Sequence, residues 1–140
     1  MNRIRALILM SLSFSAVTAE AKDPPQLLRH AETLSRDHFY LHFDENGRYS
    51  KQNIIGGEHQ TAYHMLGFES DVFQVTVKSL EGEAMYSFSG EGFQHNSNSG
   101  EPNTEIVTVL YQYYGQPSTW VTIWLSAHPY AEYIITVDKL

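Results

Sequence analysis

In TWVTIWLSAHPYAEYIITVD, residues 119–138, side-chain character switches at every second position over most of its length. Val121, Ile123, Leu125 and Ala127 share one parity and form a wholly apolar face, while Trp120, Thr122, Trp124 and Ser126 share the other. A period of two marks a β-strand with one face against a core. The second half, EYIITVD, is rich in β-branched side chains, and His128-Pro-Tyr130 separates the halves as a turn.

The same alternation recurs upstream. EIVTVLYQYY, residues 105–114, carries Val107, Val109, Tyr111 and Tyr113 on one face and Ile106, Leu110 and Tyr114 on the other. Large side chains on both faces predict a strand central to its sheet. Phe73, Val75 and Val77 alternate with Gln74, Thr76 and Lys78, and Ala84, Tyr86 and Phe88 alternate with Met85, Ser87 and Ser89. Joined by the turn Leu80-Glu-Gly-Glu83, these two predict a hairpin.

SRDHFYLHFDENGRYSK, residues 35–51, predicts a second hairpin. Phe39, Leu41 and Phe43 form its apolar face, and Asn46-Gly47 supplies a two-residue turn whose positions need positive φ. Glu45 and Arg48 would flank that turn as a charge pair, and the return strand runs to Ile55 before Gly56-Gly57. TAYHMLG, residues 61–67, is a weak strand. GEGFQHNSNSGEPN, residues 90–103, has no alternation and predicts the longest loop.

One helix is predicted ahead of the strands, over QLLRHAETLSRDHF, residues 26–39. Leu27, Leu28, Ala31 and Leu34 fall on one side of it, and Pro25 suits its first turn. The expected fold is therefore mainly β: a short N-terminal helix and an antiparallel meander of seven or eight strands. A meander of that size most simply removes its edges by closing, so a small lipocalin-like barrel is expected, with a two-layer β-sandwich as the alternative.

The first residues, MNRIR followed by ALILMSLSFSAV and Thr18-Ala-Glu-Ala21, have the layout of a cleaved signal peptide covering 1–21, leaving a single domain over 22–140. The apolar run is shorter than the ~20 residues of a membrane-spanning helix. A periplasmic or secreted chain with no transmembrane segment after cleavage is expected. The formal charge is −7, and beyond Lys51 only Lys78 and Lys139 are basic, against ten acids. Such a field repels phosphate backbones, which argues against nucleic acid as a partner.

Catalytic and cofactor signatures are missing. No cysteine is present, which removes disulfides and thiolate metal sites. There is no G-x-S-x-G, S-x-x-K or H-E-x-x-H, and Gly90-Glu-Gly92 lacks the third glycine of a dinucleotide fingerprint. A protein that is not an enzyme, with no cofactor and no bound metal, is expected.

Two sets of candidate site residues remain. His38, Tyr40, His42 and Asp44 share one strand parity; His38 and His42 would stand about 13 Å apart, too far to share a metal ion. Partners would come from other strands, with His59 and His64 the candidates. Because histidine changes charge between pH 5 and 8, His38, His42, His59 and His64 form a possible pH-sensing set. Aromatic side chains are the usual anchors of interfaces, and Tyr111, Tyr113, Trp120, Trp124 and Tyr130 are the binding candidates, joined by Glu91 and His95 from the polar loop. If Val121, Ile123 and Leu125 face the core, the tryptophans lie on a surface; if both faces are covered, they are core.

The expected function is binding: recognition of a small amphipathic ligand or a membrane-protein partner through the aromatic surface. The alternative is an acidic inhibitor or immunity protein. In that reading Glu81, Glu83, Glu91 and Glu101 block the cleft of a cationic, cell-wall-degrading enzyme.

Overall fold

The structure is a computed structural model and describes residues 35–57, 59–110 and 118–140. The predicted leader and the predicted helix as far as residue 34 lie outside these residues, as do Tyr111 and Tyr113. Nine strands are described: β1 (Ser35–Tyr40), β2 (Arg48–Gly56), β3 (Gln60–Phe68), β4 (Val72–Gly82), β5 (Met85–Gly90), β6 (Phe93–Ser97), β7 (Thr104–Val109), β8 (Ser118–Ser126) and β9 (Tyr130–Lys139). The last residues of the predicted helix, 35–39, are strand. No helix among the described residues is long and apolar enough to cross a membrane.

The strands form two sheets, ordered β1-β3-β8-β5 and β2-β9-β4-β7-β6, and neither closes on itself. The expected barrel is therefore not formed, and the arrangement is consistent with the sandwich alternative. Both sheets feed one hydrophobic core, with Tyr63, Met65, Ile123 and Leu125 from the first meeting Phe73, Val75, Val107, Tyr133 and Ile135 from the second. Tyr63 and Tyr133 join the sheets through a buried hydroxyl pair at 2.7 Å.

The meander fails for a specific reason: strands adjacent in sequence mostly go to different sheets. Among the described strands only β6 and β7 are neighbours in both sequence and pairing. The chain turns at Asn46-Gly47, but not as expected: the turn closes over Glu45-Asn46 through a bond from Gly47 N–H to the Asp44 carbonyl, only Gly47 has positive φ, +74°, and Asp44 Oδ1 accepts the backbone N–H groups of Asn46 and Arg48. Yet β1 leaves it to pair with β3 in parallel, while β2 pairs with β9. Arg48 accordingly meets Asp138 on β9 at 2.6 Å in place of Glu45.

Likewise β4 and β5 part company, and so do β8 and β9. The weak strand over 61–67 becomes β3, an interior strand buried at Thr61, Ala62, Tyr63, His64 and Met65 in succession. Enclosure on both faces erases the alternation that would have announced it. The predicted long loop contains β6, an edge strand whose only apolar side chain is Phe93, so no hydrophobic period marks it.

Candidate functional site

Three regions bring chemistry-bearing side chains together. The first is the outer face of the four-stranded sheet. Val121, Ile123 and Leu125 point into the core, fully buried, so Trp120 and Trp124 stand half-buried on the opposite face. The register places His64 beside Thr122 and Ala62 beside Trp124, with Tyr40 on the far side of His64. His38 Nδ1 lies 3.0 Å from His64 Nε2, and His64 Nδ1 lies 2.9 Å from Thr122 Oγ1. Tyr40 packs on the His64 ring at 5.0 Å and meets Trp120 edge-on at 5.8 Å. Trp124 Nε1 donates to Ser89 Oγ at 2.8 Å.

Burial first, and then the charge of His38, hold the His64 pKa down to about 4. Of the four candidate pH-sensing histidines, His38 and His64 are thus brought together. His42 follows β1 on exposed chain and His59 precedes β3, apart from that pair. No group of three or more His, Cys, Asp or Glu among the described residues is arranged to hold a metal ion.

The second region is one end of the five-stranded sheet. β4 ends at Gly82 opposite Ala131, and β2 ends at Gly56 opposite Tyr130, so these termini share an end. β7 runs antiparallel to β4, which carries the turn with Glu101 toward the same end. Glu81 and Glu132 stand directly opposite each other across the β4–β9 pairing. Like charges so placed cost stability. Gln52 Nε2 donates to Glu132, and a hydrogen bond between Tyr130 and Glu81 raises the tyrosine pKa. Glu83 follows, exposed. The other end of the sheet differs in kind: there Arg48 pairs with Asp138, and Lys139 with Asp71 at 2.9 Å. Glu91 sits in the β5–β6 turn beside Gly90, which pairs with Val121, and so lies away from Glu81 and Glu83.

The third region was not anticipated. β5 and β6 are edge strands, one from each sheet, joined across the corner by Glu91 and Gly92. Gly90 makes that corner possible, because its φ is +132° and a Cβ there would run into the Trp120 carbonyl. The corner brings Tyr86 and Phe88 of β5 opposite Phe93, His95 and Ser97 of β6. Between them lies Glu105 of β7, which shares the inward parity of Val107 and Val109.

The Glu105 side chain is only 11% exposed. Ser97 Oγ donates to its Oε1 at 2.9 Å and Tyr86 OH at 3.4 Å, while His95 Nδ1 lies 3.4 Å from Oε2. The His95 ring rests on Phe88 at 4.7 Å. Burial, and then the charge of Glu105, push the Tyr86 hydroxyl above its ordinary range. Of the sequence candidates, His95 touches Glu105 and Glu91 lies in the turn that joins the two strands. The available signal was an acid on the apolar parity of a strand, since Glu105, Val107 and Val109 are spaced by two.

These features define a small two-sheet β protein with an acidic end and a polar corner. No family model matches the chain, and no curated protein matches it in sequence. A solved structure shares its fold: PliG of Aeromonas hydrophila, a periplasmic lysozyme inhibitor of g-type lysozyme, superposes with a TM-score of 0.55 at 9% identity, over 76% of this chain and 99% of that one.

Proposed function

We propose that this protein is a non-catalytic periplasmic inhibitor of a cationic, cell-wall-degrading enzyme of the lysozyme kind. The observation that carries the reading is the shared fold, which spans nearly the whole of a protein described as a periplasmic lysozyme inhibitor. The charge distribution supports it independently. An overall charge of −7 is joined to an end where Glu81 and Glu132 face each other across two strands, Glu83 follows in the chain and the turn with Glu101 points the same way. Carboxylates kept together at a cost to stability are suited to meeting positive charge on a partner, where they speed encounter and select the correct face.

The reading as a receptor for a small amphipathic ligand or a membrane-protein partner at the aromatic surface has less behind it, because the shared fold is that of a protein described as an inhibitor. A protein partner remains. The test is lysis of a peptidoglycan suspension by g-type and c-type lysozymes, with the mature protein added in increasing molar ratio. Inhibition approaching one-to-one stoichiometry for one class is expected. Undiminished lysis by every enzyme at tenfold excess of protein would overturn the proposal.

A further inference from the structure

We infer that the β5–β6 corner is a receptor for an arginine side chain of a protein partner, with Glu105 as the carboxylate that receives it and His95 as a displaceable occupant. The inference deepens the inhibitor reading by naming what the partner must present.

Glu105 is an enclosed carboxylate without a strong cation. Buried acids ordinarily carry a close positive partner, because desolvation is costly when it is not offset. Among the described residues no lysine or arginine lies within ion-pair distance of Glu105, and its histidine neighbour is held at 3.4 Å. Two of its three side-chain contacts are at that length, the weak end of hydrogen bonding. The carboxylate therefore has unused capacity to accept.

The surroundings specify the shape of the missing group. The His95 imidazole, a flat ring, lies tilted by 31° on Phe88 at 4.7 Å with one nitrogen turned to Glu105. A guanidinium is also flat, presents paired donors to a carboxylate and stacks on aromatic faces, whereas a lysine ammonium does neither. Phe88 and Phe93 supply the faces. His95 itself is 48% exposed on an edge strand, so its side chain can leave without opening the core.

The experiment uses the mature protein and three probes: N-acetyl-arginine methylamide, the lysine equivalent, and the citrulline equivalent, which has the shape of arginine without its charge. Binding is followed by two-dimensional NMR of the backbone amides of residues 86–107. Saturable shifts with the arginine probe are expected, with weaker ones from lysine and none from citrulline. His95→Ala should tighten arginine binding about threefold, and Glu105→Gln should weaken it at least about tenfold, a difference of about 1.4 kcal/mol.

Citrulline binding as well as arginine, or no binding by both the parent and His95→Ala, would overturn the inference, as would parent-like binding by Glu105→Gln. If Glu105→Gln does not fold, the citrulline and His95→Ala arms decide. No enzyme is present in this assay. An empty corner in a protein that still inhibits would sink this inference alone, and an occupied corner in one that inhibits no lysozyme would sink the proposed function alone.

Discussion

His38 and His64 are hydrogen-bonded at 3.0 Å with their rings stacked, 5.3 Å between centroids and 11° between planes, although 26 positions separate them. The pair couples β1, an edge strand, to the enclosed strand β3. Two imidazoles that close share a hydrogen bond only while at least one nitrogen is free to accept, so full protonation breaks it.

The pH dependence of stability follows. His64 has an ordinary value of 6.5, and burial, with the charge of His38, holds it at about 4 in the folded protein. Above pH 6.5 both folded and unfolded chains carry the neutral ring and the full stability is present. As the pH falls from 6.5 to 4 the unfolded chain gains a proton that the folded one refuses, and stability declines by up to about 3 kcal/mol. Urea midpoints at pH 7 and pH 4.5 should differ accordingly, and His64→Gln should flatten that difference.

The buried hydroxyl pair of Tyr63 and Tyr133 makes a second prediction. Tyr63→Phe leaves the Tyr133 hydroxyl enclosed between the sheets without that partner, at a cost of about 1–2 kcal/mol. The double variant with Tyr133→Phe should lose less than the sum of the two single changes. A double-mutant cycle by urea denaturation measures the coupling.

Gly90→Ala should destabilise by about 1–3 kcal/mol, because φ +132° disfavours any side chain and the Trp120 carbonyl occupies the space. Thermal unfolding followed by near-ultraviolet circular dichroism would register both the loss and any disturbance of the neighbouring tryptophan.

Neutralising the acidic end with Glu81→Gln, Glu83→Gln and Glu101→Gln together should leave the fold intact, since these side chains are exposed. Association with a cationic target enzyme should slow by about tenfold at low ionic strength and lose most of its salt dependence. Stopped-flow kinetics at two salt concentrations would show it.

Strand positions and inward faces were largely legible, because burial writes a local period into the chain: Phe73, Val75, Val77, Val121, Ile123 and Leu125 all point to the core as their parity requires. Partnership was not legible. Asn46-Gly47 marks the place of a chain reversal though not its turn type, and nothing local says that the flanking strands separate into different sheets. His38 with His64 and Glu105 with Tyr86 depend on pairings made at long range. β3 hid for the opposite reason, since a strand enclosed on both faces has no polar parity to reveal it.

β9, residues 130–139, is an interior strand of its sheet, hydrogen-bonded to β2 on one side and to β4 on the other. This strand is thus the keystone of one layer, since among the described strands β2 pairs with no other member of that sheet. Severing the hydrogen bonds of β9 would split that layer into a lone ribbon, β2, and a three-stranded remnant, β4-β7-β6, while leaving the four-stranded layer paired.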